Sequence, residues 1–140
     1  MHDPELPVAR VAEAYRQWRD TKGKSAELFL DLMAEEVEMR SVLEPALPDD
    51  LAADRKTHAE ARDYFAILAR DWEMLDFPQE KIVAEGDTIV WIGRCAWRNR
   101  NSGREIDTPK VDIWTFENGR AVRLLEMFDS LGFARTAALI

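Results

Sequence analysis

Apolar residues recur every three or four positions in the first half of the chain and mostly every second position in the second half. Val8, Val11, Ala12, Tyr15 and Trp18 form one face of an amphipathic helix, which Gly23 ends within the basic stretch Lys22-Gly23-Lys24. Ser25 is placed to cap a second helix with Leu28, Phe29, Leu32 and Met33 on one side. The period then changes: Val37, Met39, Ser41 and Leu43 alternate with Glu36, Glu38, Arg40 and Val42, which predicts a strand. Two prolines and several acids make residues 44–56 a long loop that could act as a lid. Thr57 and Glu60 match a capping box, and Ala61, Tyr64, Phe65, Leu68 and Trp72 give a third helix its apolar face. That helix is predicted to stop at Asp76-Phe77-Pro78, because a residue before proline avoids helical geometry.

After Pro78 the pattern is that of strands. Lys81–Glu85 ends at the turn Gly86-Asp87, and Thr88–Arg98 is long and rich in β-branched and aromatic residues. Residues 99–103 make a hairpin connection, and Glu105–Phe116 follows, with Pro109 predicting a bulge or an edge. Asn118-Gly119 is a hairpin turn into the strand Ala121–Phe128, and residues 130–137 can close the chain with a short helix. The prediction is an α+β domain spanning 1–140, in which the early helices close one side of a strongly curved, cone-shaped antiparallel sheet.

Composition narrows the function classes. A net charge of −8 disfavours nucleic acid and anionic membranes as partners, and Arg94, Arg98, Arg100 and Arg104 fit a solvated hairpin end. No apolar run approaches the roughly 20 residues of a membrane helix, and the first five residues do not read as a signal peptide. Cys95 is the single cysteine, so a cytoplasmic location without disulfides is expected. His2 and His58 are too scattered to make a metal site.

Certain stretches carry a family likeness: Ser102-Gly103-Arg104 to Pro109, then Val111 through Phe116, the turn at Asn118-Gly119, and Glu126-Met127-Phe128-Asp129. In this order the chain resembles the nuclear transport factor 2-like superfamily and its SnoaL-like and ketosteroid-isomerase-like branches. The resemblance implies the cone fold, a homodimer formed through the sheet and a pocket for a small hydrophobic ligand. Tyr15 and Asp112 match the positions where ketosteroid isomerases place a tyrosine and a protonated aspartic acid that donate to an enolate oxygen. Where those enzymes carry a base aspartate, this chain has Ser41, with Glu44 the nearest acid beyond it. Limonene epoxide hydrolases share the ending at Asp129, but Gly93 and Cys95 stand where they use an Arg-x-Asp pair.

The candidate catalytic residues are Asp112, Tyr15, Asp129 and Glu126. Each has a plain structural alternative: a salt bridge from Asp112 to Arg94 or Arg40, a core tyrosine, a helix cap for Asp129, and a surface ion pair for Glu126. A buried Asp112 needs a partner or a proton. Trp18, Met39, Ser41, Phe65, Leu68, Trp97, Trp114 and Phe128 are the expected pocket wall, while Trp91 can face either way. The expected chemistry is cofactor-free acid/base work on a small carbonyl-type compound: isomerisation, cyclisation, hydration or dehydration. Classical steroid isomerisation is disfavoured by Ser41, and the alternative is a non-catalytic binding or assembly module.

Overall fold

The computed structural model describes residues 6–140, so His2 and the acidic N-terminal stretch lie outside the described residues. Helix α1 (Val8–Asp20) buries Val11, Ala14, Tyr15 and Trp18. Its end is a Schellman turn, in which the Gly23 amide reaches the Trp18 carbonyl at 2.8 Å and the Lys22 amide the Arg19 carbonyl at 3.2 Å. Lys22 as well as Gly23 therefore takes a positive φ there. Helix α2 (Ala26–Leu32) runs directly into strand β1 (Met33–Ser41), so Met33 begins the strand instead of ending the helix. The Ser25 side chain makes no capping bond.

The loop after β1 holds a 3-10 turn at Asp50–Ala52 and strand β2 (Arg55–Thr57), which pairs with β1. Leu51 and Ala52 are buried there. Helix α3 (His58–Asp71) has the predicted cap: the Thr57 hydroxyl accepts from the Glu60 amide. The Glu60 carboxylate accepts from the Lys56 amide, one residue before the usual capping-box position. The helix stops at Asp71, five residues short of the predicted end, and Trp72 opens strand β3 (Trp72–Asp76). That strand exists because it pairs with the end of β5 (Thr88–Asn99), a long-range contact that outweighs the helical spacing of Leu68 and Trp72.

Strand β4 (Gln79–Glu85) pairs with the first half of β5, so two successive strands share one partner and the sheet bends between them. Strands β6 (Glu105–Glu117) and β7 (Arg120–Met127) follow, joined by a turn with positive φ at both Asn118 and Gly119. The seven strands run β2-β1-β7-β6-β5-β3, with β4 beside β5. All neighbours are antiparallel except β1 and β7, which are parallel. Pro109 forms no bulge: its register with Arg94 is unbroken, and it lies past the end of β7, where β6 is paired on one side only. Helix α4 (Ser130–Thr136) closes the chain over the near end of β6.

The result is a curved, unclosed sheet with α1, α2 and α3 on its concave side. One buried cluster between helices and sheet is built on Phe29, Leu30, Val37, Trp91, Trp114 and Phe116. A second is built on Leu43, Leu51, Trp72 and Phe133. The candidate site lies between them.

Candidate functional site

Four Cα positions form a single rung across the sheet. Ser41 on β1 stands beside Glu126 on β7, Glu126 opposite Asp112 on β6, and Asp112 opposite Trp91 on β5. Side chains alternate along a strand, so Thr108, Lys110, Asp112, Trp114 and Phe116 all face the concave side of β6. The rung and its neighbours border a cavity of about 80 Å³, room for several waters or a small ring. Its wall is mainly aromatic, with Trp18, Phe65, Trp97 and Phe128 among the contributors.

Its polar groups are interlocked. The Tyr15 hydroxyl donates to Asp112 Oδ2 at 2.5 Å and accepts from Trp114 Nε1 at 2.9 Å. Lys110 Nζ donates to Asp112 Oδ1 and lies 3.6 Å from Glu126 Oε1. The Tyr64 hydroxyl, on α3, donates to Glu126 Oε2 at 2.7 Å. Asp112, Glu126 and Lys110 are 3%, 7% and 8% exposed, so all three sit in a medium where an uncompensated charge is costly.

The charges set the proton affinities within the cluster. Burial alone would push the Lys110 amine down, but the Asp112 and Glu126 carboxylates beside it hold it above the ordinary lysine range. Burial raises the Glu126 carboxyl; Lys110 opposes that rise and Asp112 adds to it, leaving it above the usual 4.5. With all three ionised the cluster would carry one negative charge, and a proton on Glu126 removes it. Burial and the nearby carboxylates push both tyrosine hydroxyls well above 10. Burial pushes the Cys95 thiol, also in the cavity wall, up to about 11.

Several expectations are corrected. Asp112 pairs with neither arginine: Arg94 binds Asp107, and Arg40 binds Glu38, both at the surface. Its partner is Lys110, two residues back on the same face. Both Asp112 oxygens accept, and Tyr15 gives its single proton to Asp112, so the pair does not aim two donors at a ligand. Glu126 is no surface acid. Asp129 lies outside the cavity and caps α4, accepting from the Gly132 amide at 2.8 Å. Met39 is buried in the core below the cavity and is not part of its wall. Trp91, which could face either way, is buried and stacks on Tyr15 at 4.5 Å with the rings 8° apart. Ser41 does line the cavity, where its hydroxyl accepts from the Leu43 amide.

Lys110 and Tyr64 were not among the expected site residues. Alternation from Asp112 puts Lys110 on the same face of β6. Tyr64 showed only helical periodicity, and its hydroxyl meets Glu126 through a contact 62 residues apart.

A SnoaL-like domain model matches residues 8–124. Among solved structures, an NTF2-like protein of unknown function from Burkholderia pseudomallei K96243 superposes with a TM-score of 0.81 at 23% identity, covering 96% of this chain and 98% of that one. TerC, co-crystallised with polyporic acid, gives 0.77 at 20% identity, with 94% and 97% covered. A Rhodopseudomonas palustris protein provisionally named an isomerase gives 0.74 at 15% identity, with 99% and 100% covered. At such identities the likeness establishes the fold. No curated protein matches the chain. No described helix is long and apolar enough to cross a membrane.

Proposed function

The chain belongs to the SnoaL-like family of the NTF2-like superfamily, and we propose that it is a cofactor-free acid/base enzyme acting on a small ring-bearing carbonyl compound. The observation that carries this reading is Glu126, a buried carboxyl with raised proton affinity beside an aromatic-walled cavity. A carboxyl tuned in that direction can take a proton from carbon and return it elsewhere on the same molecule. It also stands next to Ser41, so the carboxylate that β1 lacks is supplied one strand over.

Each neighbour has a part in this scheme. Tyr64 holds one Glu126 oxygen by a hydrogen bond, and the Lys110 ammonium lies 3.6 Å from the other. Asp112 keeps Lys110 charged and balances it, while Tyr15, stacked between Trp91 and the edge of Phe29, fixes Asp112. The reaction classes compatible with such proton movement are isomerisation, cyclisation and hydration or dehydration. TerC, the relative co-crystallised with polyporic acid, makes a ring-bearing ligand a reasonable first choice. The test is turnover on a panel of small cyclic ketones and enones by the wild type, Glu126→Gln, Asp112→Asn and Tyr15→Phe. Loss in Glu126→Gln supports the assignment; unchanged turnover in all three variants overturns it.

We also propose a homodimer through the convex face of the sheet. Val90, Ile113 and Leu125 align there in one row, and Ile92, Val111 and Met127 in the next. A second copy laid on these rows would meet the same apolar rows, as a two-fold interface requires.

A further inference from the structure

Lys110 is a buried cation with unfilled bonds. An ammonium has three donors. Among the described residues Lys110 has one hydrogen-bond acceptor, Asp112 Oδ1, and Glu126 Oε1 at 3.6 Å is beyond a good hydrogen bond. The Phe77 ring lies 5.8 Å away and offers only a weak cation–π contact. The side chain is 9% exposed, and the space it borders is the cavity. Both tyrosine hydroxyls donate to carboxylates and the Trp114 indole donates to Tyr15. A charged donor held in an apolar, aromatic-walled space, with protons free to point inward, is built to receive an anionic oxygen.

We infer that Lys110 binds the oxyanion of the ligand, and that the ligands are small ring compounds with one weakly acidic oxygen, phenols or enols, held as the anion. The inference rests on the reading above that the cavity accepts a ring compound. Charge balance selects the weak acid. With Glu126 ionised, the ligand O–H bond breaks, its electron pair stays on oxygen against Lys110, and the proton passes to the Glu126 carboxylate. The cluster then holds the Asp112–Lys110 pair, neutral Glu126 and the ligand anion, with the same total charge as before. A stronger acid arrives already ionised and brings no proton for Glu126, so it sets a second carboxylate against an ionised one. The oxygen that Lys110 receives here is also the one on which charge develops when a bound ketone loses an α-proton.

The test uses para-nitrophenol, its neutral ether para-nitroanisole and the stronger acid para-nitrobenzoate, titrated into the full chain at a pH below the phenol's own pKa. Absorbance separates bound phenolate from bound phenol. The wild type should bind the phenol as phenolate, about ten- to a hundredfold more tightly than the ether, the range of one charge-assisted hydrogen bond. The benzoate should bind more weakly than the phenol. The double variant Lys110→Met/Asp112→Asn removes the cation together with its carboxylate partner, and should lose the preference for the phenol over the ether. Binding of phenol and ether with equal affinity, binding of the phenol in its neutral form, benzoate matching the phenol, or an unchanged preference in the double variant would each overturn the inference and leave the cavity reading standing. Binding of none of the three probes would overturn both.

Discussion

Asp112 and Glu126 face each other as direct partners across β6 and β7, and Lys110 lies against both carboxylates. Two buried acids beside one buried cation leave one charge too many, and the burial of Glu126 raises its affinity for a proton that a bound molecule can supply. The surrounding fold holds this arrangement in place, and its parts can be tested one at a time.

Glu126 should make stability depend on pH in a defined direction. Burial raises its pKa in the folded chain above the ordinary 4.5, so the folded state keeps this proton where the unfolded state has lost it. Its contribution to stability is fully present below the unfolded value and is lost as pH rises through the folded value. Glu126→Gln should remove this component. In urea titrations across a pH series, the variant should gain on the wild type as pH climbs above 4.5 and keep that gain beyond the window.

Gly93 should not tolerate a side chain. A Cβ there would lie 2.3 Å from the Pro78 carbonyl oxygen and 2.5 Å from Trp91 Cη2. The glycine makes room for the indole that stacks on Tyr15. Gly93→Ala is expected to cost about 1–3 kcal/mol, as overpacking does, measured by chemical denaturation, and to disturb the Tyr15 environment in near-ultraviolet circular dichroism.

Asp129 should behave as a cap. Asp129→Ala removes the acceptor for the Gly132 amide, and is expected to cost roughly 1 kcal/mol. Ligand affinity, measured by calorimetry, should be unchanged, because the residue is not in the cavity wall.

Ile113 lies in the apolar row proposed as the dimer surface, between Val90 and Leu125. Ile113→Glu places a charge at that centre. Sedimentation should give a dimer for the wild type and a monomer for the variant, with the circular dichroism of the folded chain retained.

Much of the fold was legible because local pattern and tertiary outcome agree. The helical face of Tyr15 and Trp18, the Thr57 cap and the Asn118-Gly119 turn are short-range signals, and the structure keeps each. Trp72 shows where that stops. Its spacing from Leu68 fits a helix, and only pairing with Asn99 makes it the first residue of a strand. The parallel junction of β1 and β7 is equally invisible locally, although it brings Ser41 next to Glu126. Asp112 could be singled out as an acid among apolar residues on a strand. Its partner, Lys110, lies two residues back on the same face, a placement that alternation along the strand gives. Glu126 could be named, but its burial depends on Tyr64 from a distant helix.

Under this proposal Glu126 moves protons for a ring compound bound in the cavity. The most direct measurement is exchange of the α-hydrogens of small cyclic ketones for deuterium in heavy water, followed by mass spectrometry. The wild type should accelerate exchange over buffer, and Glu126→Gln should lower that acceleration by about 10²–10⁴-fold, the usual scale of a general base. No acceleration by the wild type across the ketones, or equal acceleration by Glu126→Gln, would contradict the account.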